Sequence, residues 1–190
     1  MKIENLIKAS IETKQALLND KKTVETIYKV VDEVVAAYKR GNKILAAGNG
    51  GSAADAQHFV AEYVGRFYYD RPALPAIALN TDTSILTAIG NDYGYDYVFS
   101  RQVEGNGVKG DIFFGFSTSG NSANILKAIE SAKAKGIISV GFTGSKPAKM
   151  DEVCDYILKM PSADTPRIQE CHALIEHIIC QLVEEAIFPK

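Results

Sequence analysis

Five short apolar segments constrain this chain more than any other feature. Ile44–Ala47, Ala76–Leu79, Asp111–Phe116, Ile137–Phe142 and Tyr156–Met160 are each too short for a helix, and none alternates cleanly between polar and apolar residues. Strands buried on both faces read this way, because neither side of the pleat meets water. Helical stretches at 52–64, 83–90, 121–135 and 166–188 separate them. Strand and helix in alternation wind into a parallel sheet with helices on both faces. Two amphipathic helices, 2–18 and 21–40, come first; in the second, Val24, Ile27, Val31, Val34, Val35 and Tyr38 recur at helical spacing, and Gly41-Asn42 ends it. The expectation is a three-layer α/β/α sandwich with a central parallel sheet. A helical hairpin over 1–40 precedes an α/β core over 41–190, in a single domain.

Composition narrows the function. Hydrophobic residues make up 46% and charged residues 23% of 190 residues, the balance of a globular chain, and a net charge of −2 gives no electrostatic case for nucleic acid or an anionic membrane. No apolar run reaches the length of a membrane span, and Met1–Asn5 begins nothing like a secretory leader, so the expected location is the cytoplasm. Cys171 and Cys180 lie nine residues apart on the last helix. That is about 180° around its axis, so they cannot bridge. With Cys154 they read as reduced, mostly buried thiols.

Two strand-to-helix junctions look like anion sites, because a parallel sheet binds ligands where strand C-termini meet helix N-termini. Gly48-Asn49-Gly50-Gly51-Ser52 follows the first strand, and Ser117-Thr118-Ser119-Gly120-Asn121-Ser122 follows the third. Glycine lets the backbone approach a ligand, hydroxyls add donors, and the helix N-terminus adds partial positive charge. The first loop lacks the spacing of a dinucleotide fingerprint and would also serve as an ordinary turn. The second carries four Ser/Thr side chains in six residues, more than one helix cap uses.

Only three histidines are present: His58, His172 and His177. His58 and Glu62 are four residues apart on the helix leaving the glycine loop, one face of that helix, which suits two ligands of one metal or a base and its orienting partner. On the last helix, Gln169 stands about −60° from His172 and about +80° from His177, so periodicity leaves open which histidine shares a site with it. A His/Glu/Gln/His set is an acceptable zinc environment. Asn91-Asp92, between Gly90 and Gly94, reads as turn chemistry whose polar groups could also reach sugar hydroxyls. The aromatic run Arg66–Arg71 suits a subunit interface.

Gly48-Asn49-Gly50-Gly51-Ser52-Ala53-Ala54-Asp55-Ala56-Gln57-His58-Phe59 resembles the opening loop and helix of sugar isomerase (SIS) domains, and within them the phosphoheptose isomerases. Ser117–Ser122 is similar to that family's phosphate loop, and Arg167-Ile168-Gln169-Glu170 followed by His177 to its C-terminal active-site helix. The likeness covers essentially the whole chain and implies flavodoxin-like winding. It implies that Asn49, Gly50, Gly51, Asn91 and Asp92 contact substrate, and that Ser117, Thr118, Ser119 and Ser122 hold its phosphate. It further implies that His58, Glu62, Gln169 and His177 ligate zinc, choosing His177 over His172, and that Glu62 and Gln169 also touch substrate. Homotetramers with active sites shared between subunits are implied as well. In one respect the chain departs from some members: where they carry an aspartate three positions before the glutamine, it has Pro166.

The implied reaction converts sedoheptulose 7-phosphate to D-glycero-D-manno-heptose 7-phosphate through an enediol, the first step toward nucleotide-activated heptose for surface polysaccharide. Glu62 is the expected base and His177 the second acid/base. The rivals are an isomerase of another sugar phosphate and a non-catalytic SIS binding or regulatory protein. Such a protein need not keep the His58/Glu62/Gln169/His177 set.

Overall fold

The computed structural model describes all residues, Met1–Lys190. Five parallel strands, β1 (Ile44–Gly48), β2 (Ala76–Ala78), β3 (Ile112–Phe116), β4 (Ile138–Thr143) and β5 (Tyr156–Lys159), line up in the order β2-β1-β3-β4-β5. Every residue of β1 and β3 is buried, which is why neither segment alternates in sequence. Ile44 and Ala46 point into one core, with Ile112, Phe114 and Phe116 beside them. Leu45 and Ala47 point into the other, with Phe113.

The first core lies under α1 (Lys2–Asn19), α2 (Lys21–Lys39), α3 (Gly51–Val64) and α8 (Thr165–Ile187). The second lies under α4 (Thr83–Asp92), α5 (Ser100–Asn106), α6 (Ala123–Ala134) and the short α7 (Met150–Val153). The architecture is thus the three-layer sandwich expected. Asp20 caps α2 through Thr23 N–H at 3.2 Å, making the hairpin corner, and α2 lays Ile27, Val30, Val31 and Val34 into the first core.

Two local expectations shift. α6 begins at Ala123, not residue 121, because Ser122 is extended and serves as its N-cap residue. Asn91-Asp92 is the last turn of α4 rather than a loop: Asp82 caps the helix at Ile85 N–H, 2.9 Å, and Leu86 and Ile89 pack on the second core. Between α4 and β3 the chain also holds a 3-10 turn, Tyr95–Tyr97, and α5. No helix is long and apolar enough to cross a membrane.

Two features of the winding place the site. The order reverses between β1 and β3, so the loops leaving these adjacent strands open side by side, Gly48 opposite Phe116 in register. α3 and α8 share one face of the sheet and pack directly on each other.

Candidate active site

The acid/base cluster forms between α3 and α8. His58 and Glu62 project from one face of α3, with His58 Nε2 3.1 Å from Glu62 Oε1. His177 on α8 brings its Nε2 to 3.3 Å from His58 Nε2, the two rings meeting edge to face. Ligand atoms of all three lie within 4.8 Å of one another. Two imidazoles and a carboxylate that close, partly open to solvent, are a donor set that fits a zinc-like ion with a position left for another ligand. The Phe67 ring stands 5.7 Å from His177 and walls one side.

His172 is not part of this cluster. It is fully buried against Phe116 and Phe142, with Nδ1 3.8 Å from Asp55 Oδ2. The choice between the two histidines therefore rests on where α3 packs, which helical angles alone do not contain. Gln169 sits two turns before His177, about 12 Å of helix rise. Its amide rests on Gly51: a Cβ added there would meet Gln169 Cδ at 3.0 Å and Oε1 at 3.1 Å. The glutamine amide thus stands at the glycine loop.

The end of α3 that carries Glu62 is pinned from outside. Arg71 donates to the Glu62 carbonyl at 2.7 Å and the Tyr63 carbonyl at 3.0 Å, while its Nε meets Glu184 at 2.8 Å. Glu184 also accepts Phe67 N–H and Tyr68 N–H. Burial alone would raise the Glu184 carboxyl, but these N–H donors and Arg71 outweigh it and hold the group below the ordinary carboxylate range.

The two loops are rigid for different reasons. Asn49 exchanges two 2.9 Å side-chain hydrogen bonds with Asn124 and accepts Tyr95 O–H at 3.2 Å. The serine loop is tied to its surroundings by Ser117 N–H to Phe142 O, Gly144 N–H to Thr118 O and Met150 N–H to Gly120 O. Ser117 Oγ lies 3.0 Å from Ser122 Oγ and 3.4 Å from Ser119 Oγ, a tight group of hydroxyls at the start of α6. Thr118 and Ser119 open onto a cleft of about 240 Å³ shared with Ser145, Lys146 and Thr165. Asn91 and Asp92 do not join the His58–Glu62–His177 group within one chain; they are exposed on α4, in the layer on the other face of the sheet.

Asn124 and Tyr95, which bond Asn49, and Glu176, beside His58, were not singled out from sequence. Asn124 follows the serine loop by two residues and could have been read as a loop-to-loop link. Tyr95 gave no signal. Glu176 lies next to His177 but looks like any helical glutamate until its burial is seen; desolvation, then the charge of Asp55, pushes its carboxyl up to about 9.

The SIS domain pattern matches residues 8–144. A phosphoheptose isomerase of Aneurinibacillus thermoaerophilus is 60% identical over 186 residues, covering 98% of this chain and 94% of its own. The chain belongs to the phosphoheptose isomerase family of SIS proteins. Its fold agrees throughout. The phosphoheptose isomerase GmhA from Neisseria gonorrhoeae matches with a TM-score of 0.91 at 41% identity, and that from Francisella tularensis with 0.92 at 35%, each over 97% of both chains.

Proposed function

We propose that this chain is a cytoplasmic aldose–ketose isomerase acting on sedoheptulose 7-phosphate, with one zinc ion held by His58, Glu62, Gln169 and His177. Near-complete likeness to named phosphoheptose isomerases supports the reaction class. The observation that carries the site is the junction of His58, Glu62 and His177 within 4.8 Å, between two helices that also flank the glycine loop.

The chemistry follows from what these residues are. Glu62 takes the proton from the carbon beside the carbonyl, giving an enediol, and returns it to the neighbouring carbon. A carboxylate has two oxygens; Oε1 faces His58, and the other oxygen is assigned to the proton. His177 moves a proton between the two sugar oxygens. Zinc bound in this cluster would supply Lewis acidity to the carbonyl oxygen. Ser117, Thr118, Ser119 and Ser122 hold the phosphate, aided by the N-terminus of α6. Ile168, at the mouth of the phosphate cleft, precedes His177 by nine residues, about 14 Å of helix. A substrate with its reacting carbons at one end and its phosphate at the other matches that separation, and phosphate binding then fixes the reacting end. Asn49, Gly50, Gly51 and the Gln169 amide face the sugar between the two ends.

Asn91 and Asp92 fit this scheme if a neighbouring subunit supplies them, so we assign a homotetramer with shared sites. Apolar side chains left open on α1 (Ile3, Leu6, Ile7 and Ile11) and Ile77 on the edge strand suit such packing. Three unpaired cysteines, two of them buried, fit a reducing compartment.

Turnover of sedoheptulose 7-phosphate, measured with and without chelator beside a metal analysis, tests the reading. Activity lost on chelation and regained with zinc is expected. A wild-type protein that binds the sugar phosphate without turning it over makes the chain a binding protein instead.

A further inference from the structure

Glu176 is an acidic side chain that the reaction leaves unused and that stands against the cluster. Its side chain is 1% exposed, and neither oxygen has a hydrogen-bond partner. A buried carboxyl group with no hydrogen-bond partner is costly and invites a functional explanation. His58 Nδ1 lies 3.5 Å from Glu176 Oε2. A shift of about 0.5 Å closes that gap to an ordinary hydrogen bond. The other ring nitrogen, Nε2, is the one facing Glu62 and His177. His172, one turn earlier on α8, has its Nδ1 3.8 Å from Asp55 Oδ2.

We propose that Glu176 is a positioning residue: it accepts the Nδ1 proton of His58 and so presents the lone pair of Nε2 to the metal. The inference rests on the metal reading above. A histidine ligates through one nitrogen and needs its other N–H held by an acceptor, which fixes both the tautomer and the ring's rotation. The His58 side chain is 42% exposed, whereas Glu176 is fixed in the core and so offers a firm acceptor for it.

Two variants separate positioning from packing. Glu176→Leu removes the acceptor at similar volume; Glu176→Gln keeps an oxygen that can accept the same proton. Zinc affinity, read by competition with a chromophoric chelator, should fall tenfold or more in Glu176→Leu. It should stay within about threefold of wild type in Glu176→Gln. Thermal melting of the metal-free protein should drop in neither variant, since there the buried carboxyl has no hydrogen bond to lose. Wild-type zinc affinity in Glu176→Leu overturns the proposal, as does a Glu176→Gln protein as weak as the leucine variant. Ring-nitrogen NMR of the zinc-loaded wild type needs no variant: His58 should carry its proton on Nδ1, and an Nε2-protonated ring overturns the assignment. A wild type that binds no zinc at all sinks the metal reading and this proposal with it, whereas zinc held equally tightly by Glu176→Leu sinks only the proposal.

Discussion

Gly51→Ala should separate stability from activity with opposite signs. Gly51 is the first residue of α3, and its φ is not in the left-handed region, so alanine fits the backbone there. Replacing a helical glycine by alanine contributes about 0.5–1 kcal/mol of stability. For a chain of this size that is a rise in Tm of about 1–4 °C. The new Cβ, however, would lie 3.0 Å from Gln169 Cδ and 3.1 Å from Oε1, with Nε2 nearer still. Ordinary van der Waals separation requires the amide to retreat by about 1 Å. Being the far end of a flexible side chain it can do so at little cost to folding, but it leaves the position from which it faces the sugar. A misplacement of that size in a positioning group lowers kcat/KM by up to about a hundredfold. The assay is steady-state turnover of sedoheptulose 7-phosphate beside a thermal melt, for Gly51→Ala, Gln169→Ala and the pair. Because both changes act through one amide, the double variant should be no worse than Gln169→Ala alone. Unchanged kcat/KM in Gly51→Ala, or full additivity in the pair, refutes the claim that Gly51 is glycine to make room for Gln169.

Glu62→Gln should lower kcat by about a hundredfold or more with melting unchanged, and near wild-type turnover removes Glu62 as the base. Ser119→Ala should raise KM for the phosphorylated sugar by about tenfold, the worth of one hydrogen bond to a charged group; an unchanged KM contradicts the phosphate assignment. Gly120→Ala should destabilise by about 2 kcal/mol or more in denaturant unfolding, because Gly120 holds φ +64° and its Cβ would meet Ala148 Cβ at 2.5 Å. Glu184, held below the ordinary carboxylate range, contributes stability that is present above its unfolded pKa of about 4.3 and is lost as pH falls through the lower folded value. Tm measured against pH should therefore fall more steeply below about pH 4.5 in wild type than in Glu184→Gln, and parallel curves contradict the linkage.

The strands and long helices were legible because their burial writes itself into the sequence. β1 and β3 are buried on both faces and so lack alternation; α2 is buried on one face and so shows the helical period. The short elements were not legible. α5 and the Tyr95–Tyr97 turn offer too few residues for a period to register, and they are held by tertiary bonds such as Gln102 Nε2 to Leu79 O at 2.8 Å. Asn91-Asp92 misled because Gly90 through Gly94 has the composition of a turn, while the Asp82 cap and the packing of Leu86 and Ile89 carry α4 through it.

The site divides along the same line. Each loop could be read from its own residues, since glycine and serine at a strand's C-terminus have a local reason to be there. The cluster could be read only in halves. His58 and Glu62 share a helix face, so spacing alone joins them; His177 reaches them across 119 residues of chain. What selects His177 over His172 is the direction in which α8 presents each ring to α3. Position 172 faces Phe116 and Phe142 in the core, and position 177 faces the half-open groove beside Phe67. The pairing of helices, fixed by the apolar faces of α3 and α8, is therefore the step that turns three separate polar residues into one site.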